Sequence, residues 1–169
     1  MKLDSIDLQI IETLQLMGRT HRTVLAAKTG LSLPSVSERL KKLEERGLIA
    51  GYHARLNAKE IGLDVTAFVM VMIAPSSRYP SFLKHAQSEP EILECHAITG
   101  EGSYLLKVRT QNTGTLEQLL SRIQSWQGVH ATRTNVVLST PKETTVISLA
   151  HLQRQYIHRQ PRKDHRCRT

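Results

Sequence analysis

Apolar residues recur every three or four positions at the start of the chain, at Leu3, Ile6, Ile10, Leu14 and Met17, so one face of a helix is apolar there. Asp4 is placed to cap it, and Asp7 adds negative charge in the first turn, where the helix dipole favours it. Gly18 stops it. A shorter helix is expected from Arg22 to Thr29, followed by Gly30, which supplies the positive φ of a tight turn. In LSLPSVSERLKKLEERG, Ser32 can cap and Pro34 suits a first turn, while Val36, Leu40 and Leu43 form a stripe that ends at Gly47. At about 100° per residue, Glu38, Lys41, Lys42 and Glu45 point away from that stripe, and Ser35, Arg39 and Arg46 flank it. Three short helices, the last two joined by a tight glycine turn, fit a helix-turn-helix. The following LIAGYHARLN reads as a small wing and exit strand.

After the Ile61-Gly62 break the period changes. Val65 to Ala74 is a near-continuous run of β-favouring apolar residues and predicts a buried strand. Pro75 to Tyr79 turns the chain, and Phe82, Leu83 and Ala86 support a helix ending before Pro90. Ile92–Thr99 and Tyr104–Thr110 read as strands joined by a glycine-rich turn, a hairpin. Leu116, Leu119, Leu120 and Ile123 mark a helix from Thr115 to Trp126. Val129–Ser139 reads as a further strand, and Thr144–Leu149 as an additional one. The order is β-α-β-β-α-β, the ferredoxin-like arrangement. The expected fold is therefore α+β: a winged helix-turn-helix over 1–60, a ferredoxin-like domain over 61–149 and a basic tail over 150–169. Trp126 and the Met70/Met72 pair are expected in core or interface packing.

Composition narrows the function. The chain has 169 residues, 40% of them hydrophobic, enough to bury real cores and to exclude a disordered protein. Its formal charge is +8 and its pI about 9.8, so polyanions are natural partners. The excess sits at the ends. Residues 1–60 carry ten Lys or Arg against seven Asp or Glu, residues 61–149 seven against seven, and residues 150–169 six against one. The tail is either an arm for DNA phosphates or a disordered end. Cys95 and Cys167 make no disulfide framework, and neither Cys95-His96 nor His165 with Cys167 has the paired spacing of a zinc site, so no metal or cofactor is expected. No run is long and apolar enough for a membrane span, and the first residues carry acids where a signal peptide needs positive charge, so the cytoplasm is the expected compartment.

A helix lying in the major groove offers donors near its N-terminus, while Lys and Arg neutralise phosphates. Ser32, Ser35, Ser37, Glu38, Arg39, Lys41 and Lys42 are the candidates for double-stranded DNA. Arg39 suits a base or a phosphate, and Glu38 can accept from a cytosine amine. The same charges also fit a solvated helix face with internal ion pairs.

The residues themselves carry a resemblance. LDSIDLQIIETLQ at 3–15, Arg19, GLSLPSVSERLKKLEERGLIAGYHARLN at 30–57, TGEGSYLLKVRT at 99–110 and GV at 128–129 together resemble the Lrp/AsnC (feast/famine) family of transcriptional regulators over roughly Leu3 to Leu149. The resemblance implies that Asp4 to Leu56 binds DNA as dimers. It also implies that the ferredoxin-like domain pairs its sheets, with dimers often assembling into larger rings such as octamers. A small-molecule effector, commonly an amino acid, is implied between dimers near the turn at 99–103. In that turn Thr99, Gly100, Glu101, Gly102 and Ser103 offer backbone N–H groups to a carboxylate and Glu101 to an amine; a hairpin turn needs glycine for backbone reasons as well. Thr132 and Thr134 are carried over from the family's site as wall residues. The sequence departs from the family in two places. Ser103, which has no carboxylate for an ammonium group, precedes Tyr104 where an acid is usual, and His21 replaces the usual Ser before the second helix, leaving Thr20 or Thr23 to cap. Two other functions share these features: an architectural DNA-wrapping protein without effector, and a haem-biosynthesis decarboxylase of similar fold, for which His53, Arg55 and His96 are the nearest candidates.

Overall fold

The computed structural model describes residues 3–152; the basic tail expected from 150 onward lies outside them beyond residue 152. Contacts divide the chain into two units, one holding residues up to Arg55 together with the segment from Glu143, the other Leu56–Lys142. Residues 143–149, expected in the second domain, thus group with the first.

In the first unit, α1 (Ser5–Leu16) begins with a reciprocal cap. The Asp4 carboxylate accepts from the Asp7 N–H at 2.8 Å, and that of Asp7 from the Asp4 N–H at 3.0 Å, so two of the orphan donors of a helix start are satisfied. α2 (Arg22–Thr29) ends at Gly30 with φ +68°, the left-handed turn between the two helices. Its N-cap is His21, which makes no side-chain cap bond. The Thr20 hydroxyl donates to the Met17 carbonyl at 2.6 Å and so closes the end of α1 instead of capping α2. α3 (Leu33–Glu45) carries Pro34 in its first turn, and the Ser32 Oγ accepts from the Ser35 N–H at 3.3 Å. Ile10, Leu25, Val36, Leu40 and Leu43 form the core of this unit.

Two expected strands are not formed. Residues 50–57 run without a ladder, because this unit holds no strand among its described residues to supply the partner a wing strand needs. Thr144–Leu149 adds no strand either. The Gln15 side chain takes the place of a neighbouring strand: its carbonyl oxygen accepts from the Ile147 N–H at 2.7 Å and its Nε2 donates to the Ile147 carbonyl at 3.1 Å. Arg55 pairs with Glu143 at 3.4 Å, where the returning segment begins.

The second unit runs β1 (Val65–Ile73), α4 (Tyr79–Ser88), β2 (Ile92–Ala97), β3 (Tyr104–Thr110), α5 (Thr113–Ser125) and β4 (Val129–Val136), with 3-10 turns at Lys59–Ile61 and Ser76–Arg78. The sheet order is β2-β3-β1-β4, every neighbouring pair antiparallel. This is the ferredoxin-like arrangement. Alternation along β1 and β3 turns Ala67, Val69, Val71, Ile73, Tyr104, Leu106 and Val108 onto Phe82 and Ala86 of α4 and Leu116, Leu119 and Ile123 of α5. Thr66, Phe68, Met70, Met72 and Leu105 fall on the opposite face, so the Met70/Met72 pair lies outside the core.

Phe82 is fully buried, its ring 5.0 Å from that of Tyr104 and 5.6 Å from that of Trp126. Phe82→Ala is expected to lower stability by about 3–5 kcal/mol. Urea unfolding followed by Trp126 fluorescence checks this; a loss under about 1 kcal/mol would contradict the packing described.

Candidate nucleic-acid interface and ligand cavity

The stripe of Val36, Leu40 and Leu43 fixes which side of α3 is covered. Of the seven residues expected to meet DNA, Ser37, Glu38, Lys41 and Lys42 lie on its outer side or shoulder. Glu38 pairs with Lys42 and Lys41 with Glu45, each one turn apart on exposed surface. The Lys42 ammonium, through a hydrogen bond and its charge, holds the Glu38 carboxyl below the usual range. Ser32 and Ser35 shape the helix start: beyond the N-cap bond, their hydroxyls lie 2.8 Å apart. Tyr52 donates to Glu44 at 2.9 Å. Burial foremost, and then this acceptor and its charge, pushes the Tyr52 phenol up to about 12 against the opposing pull of Arg22.

Arg39 is the exception. Expected at a base or a phosphate, it turns to α1, where its Nη1 donates to Asp4 at 2.7 Å and to Asp7 at 2.6 Å. The Asp7 side chain is 2% exposed, and a carboxylate buried that deeply requires a charged partner. Burial raises the Asp4 pKa, but the Asp7 N–H, the Arg39 hydrogen bond and the Arg39 charge outweigh it, so the group sits below the ordinary aspartate range. The two carboxylates in turn raise the pKa of Arg39.

In the second unit a cavity of about 410 Å³ opens beside the β2–β3 turn. Gly100, Glu101, Gly102 and Ser103 line it, as expected for the turn, together with Met72 and Ile73 of β1, Tyr79 of α4, Ala97, Ile98 and Tyr104 at the hairpin and His130 of β4. The expected set lacked the residues from outside the turn and its flanks, Tyr79 and His130, and also Met72, Ile73, Ala97, Ile98 and Tyr104. β4, with His130, is brought to the turn by the pairing of Val71 with Tyr104 and with Thr132, and Tyr79 is held there by its ring, 5.4 Å from that of Tyr104; no local pattern shows either link. Gly100 has φ +104° and answers to backbone geometry whatever else it does, whereas a Cβ on Gly102 would overlap the Met70 side chain, a constraint of packing. The Glu101 carboxylate is paired with Arg133. The Ser103 hydroxyl accepts from the Ile73 N–H at 3.1 Å and lies 3.5 Å from the Tyr79 hydroxyl.

Thr99, Thr132 and Thr134 are not among the lining residues. Thr132 and Thr134 pair with Val71 and Val69 and share their helix-covered face, where the Thr132 hydroxyl accepts from Gln124 of α5 at 2.8 Å. His53, Arg55 and His96 are likewise absent from the lining; Arg55 is bound to Glu143 and His96 pairs with Glu94 at 3.1 Å. Among the described residues no group of three or more His, Cys, Asp or Glu is placed to hold a metal, and no helix is long and apolar enough to cross a membrane.

Arg39→Ala is expected to destabilise the first unit by on the order of 3 kcal/mol, because it strands Asp7; chemical denaturation measures this, and a neutral result would contradict the buried pair. The lowered pKa of Asp4 means that its share of stability is full above about pH 4 and is lost as pH falls below that value. In Asp4→Asn this part of the acid dependence disappears from urea midpoints measured between pH 2.5 and 6.

Comparison with known proteins agrees with this architecture. Residues 3–50 match the model of a winged helix-turn-helix DNA-binding domain, and residues 66–147 that of the Lrp/AsnC ligand binding domain. The HTH-type transcriptional regulator FL11 of Pyrococcus furiosus is 34% identical over 143 residues, covering 85% of this chain and 94% of its own. LrpA of Mycobacterium tuberculosis is 36% identical over 141 residues, covering 82% and 91%. A transcriptional regulator of Neisseria meningitidis, solved with L-Met, superposes with a TM-score of 0.85 at 32% identity, over 89% of this chain and 99% of its own. A helix-turn-helix unit with a capped third helix, a ferredoxin-like unit with a cavity at its hairpin, and relatives matched along nearly their whole length place the chain in the Lrp/AsnC family of DNA-binding transcriptional regulators.

Proposed function

We propose that this regulator binds specific duplex sites as a homodimer, or as a larger ring of dimers, and that a small molecule in the hairpin cavity modulates it. The observation that carries the reading is the split within α3. One flank is locked to α1 by Arg39, while Ser37, Glu38, Lys41 and Lys42 remain on the outer side for a major groove, where lysines meet phosphates and the hydroxyl and carboxylate meet base edges. A dimer spaces two such helices by about one turn of DNA, so half-site separation becomes part of the specificity.

The sheet face bearing Phe68, Met70, Met72 and Leu105 is the surface for the second copy, since an apolar sheet face is a natural partner for its own symmetry mate. The cavity, about 410 Å³, falls within the range of small-molecule sites, and its lining includes the polar side chains of Tyr79, Ser103 and His130 and the backbone of the turn. The reading is that of a binding protein of the cytoplasm, not an enzyme; the regulator names of its relatives support this.

A gel-shift series on promoter fragments against bulk DNA tests the first part. Specific binding that weakens as salt rises is expected, and equal affinity for all fragments would refute it. For the second part, thermal shift is measured with each common amino acid in turn. A true effector at 100 times its Kd adds about 2.7 kcal/mol, and a flat panel would remove amino acids as the effector class.

A further inference from the structure

Arginine supplies the commonest specific base contact in protein–DNA interfaces and a strong phosphate contact as well. Within α3 the only arginine is Arg39, and it is committed to Asp4 and Asp7. The outer face of the helix therefore offers ammonium groups but no guanidinium. A guanidinium nevertheless lies beside it. Arg22, the first residue of α2, places its Nη1 3.5 Å from the Ser37 Oγ, and both groups belong to the same unit. The Arg22 side chain is exposed, and among the described residues it has no ion-pair partner.

Ser37 occupies the shoulder of α3 opposite the one that carries Arg39. Leu33 lies one turn before Ser37 on the same shoulder and is 45% exposed although apolar. That edge thus sets a fork of N–H donors and an apolar side chain next to each other, the two chemistries that meet guanine or phosphate acceptors and thymine methyl groups.

We propose that Arg22, steadied along α3 by Ser37, is the arginine of the DNA interface, taking an acceptor on the duplex that Arg39 is unable to reach. The inference rests on the DNA-binding reading above. Arg39 serves the fold and Arg22 serves the ligand. The acceptor is either a backbone phosphate or the O6/N7 edge of a guanine, and the two sources give different signatures.

The test uses the full chain with the promoter duplex that the wild type selects and with a scrambled duplex. Arg22→Ala and Arg22→Gln are expected to weaken binding about tenfold or more with unchanged melting temperature, whereas Arg39→Ala lowers the melting temperature. A phosphate contact shows as similar loss on both duplexes, partial rescue by Arg22→Lys and a salt slope reduced by about one. A guanine contact shows as loss confined to the selected duplex, absent once that base pair is replaced, with no rescue by lysine. Either pattern supports the assignment. Arg22→Ala and Arg22→Gln binding as tightly as wild type with the same salt slope would overturn it. Failure of the wild type to bind any duplex overturns the DNA-binding reading itself and the assignment with it.

Discussion

Asp4, Asp7 and Arg39 tie the start of α1 to the middle of α3. Asp7 is 1% exposed, and its two oxygens are divided between the Asp4 N–H and the Arg39 guanidinium. A buried carboxylate is tolerable only with such partners, so the first turn of α1 and the rotation of α3 about its own axis are set by the same three side chains. Once Arg39 faces α1, the period of the helix puts Glu38, Lys41, Lys42 and Glu45 outward and Ser37 toward α2. The outer surface of α3, the one proposed above for DNA, is a geometric consequence of that buried cluster.

Features encoded over short stretches were legible in the sequence. The Asp4 cap, the Ser32 cap with Pro34, the left-handed turn at Gly30 and the stripe of α3 depend on residues within one or two turns of each other, and the three helices lie where they predict. The β-α-β-β-α-β order was legible because the apolar period changes at each boundary. What the sequence did not disclose depends on distant partners. Arg39 is separated by 35 and 32 positions from Asp4 and Asp7, so its place on a helix flank did not reveal that the flank was occupied. Thr144–Leu149 has a composition that suits an extended backbone, but composition does not say that Gln15, far away in the chain, satisfies it.

The cavity shows the same division. Its turn was visible from Gly100 and Gly102, whereas its walls depend on strand register, in which a shift of one residue moves a side chain to the other face. Thr132 and Thr134 fall on the helix-covered side for that reason, and Tyr79 and His130 enter from elements whose own patterns mark them only as turn and strand. The substitution at position 103 also takes on a local meaning: a hydroxyl there binds the Ile73 N–H within the protein, and the carboxylate that remains at the turn, that of Glu101, is neutralised by Arg133.

The lysines of α3 have a second consequence. Lys41 and Lys42 each have a glutamate one turn away, so the helix carries tethered rivals for any phosphate brought to them. Any duplex must displace an anion already present at high local concentration before it gains a lysine contact. This internal competition weakens the phosphate contribution for every sequence alike, and because one of the rivals is Glu38, freeing Lys42 for a phosphate also frees that carboxylate for a base edge. On such a helix the phosphate share of binding, common to all sequences, is reduced, and the share left to base contacts is correspondingly larger.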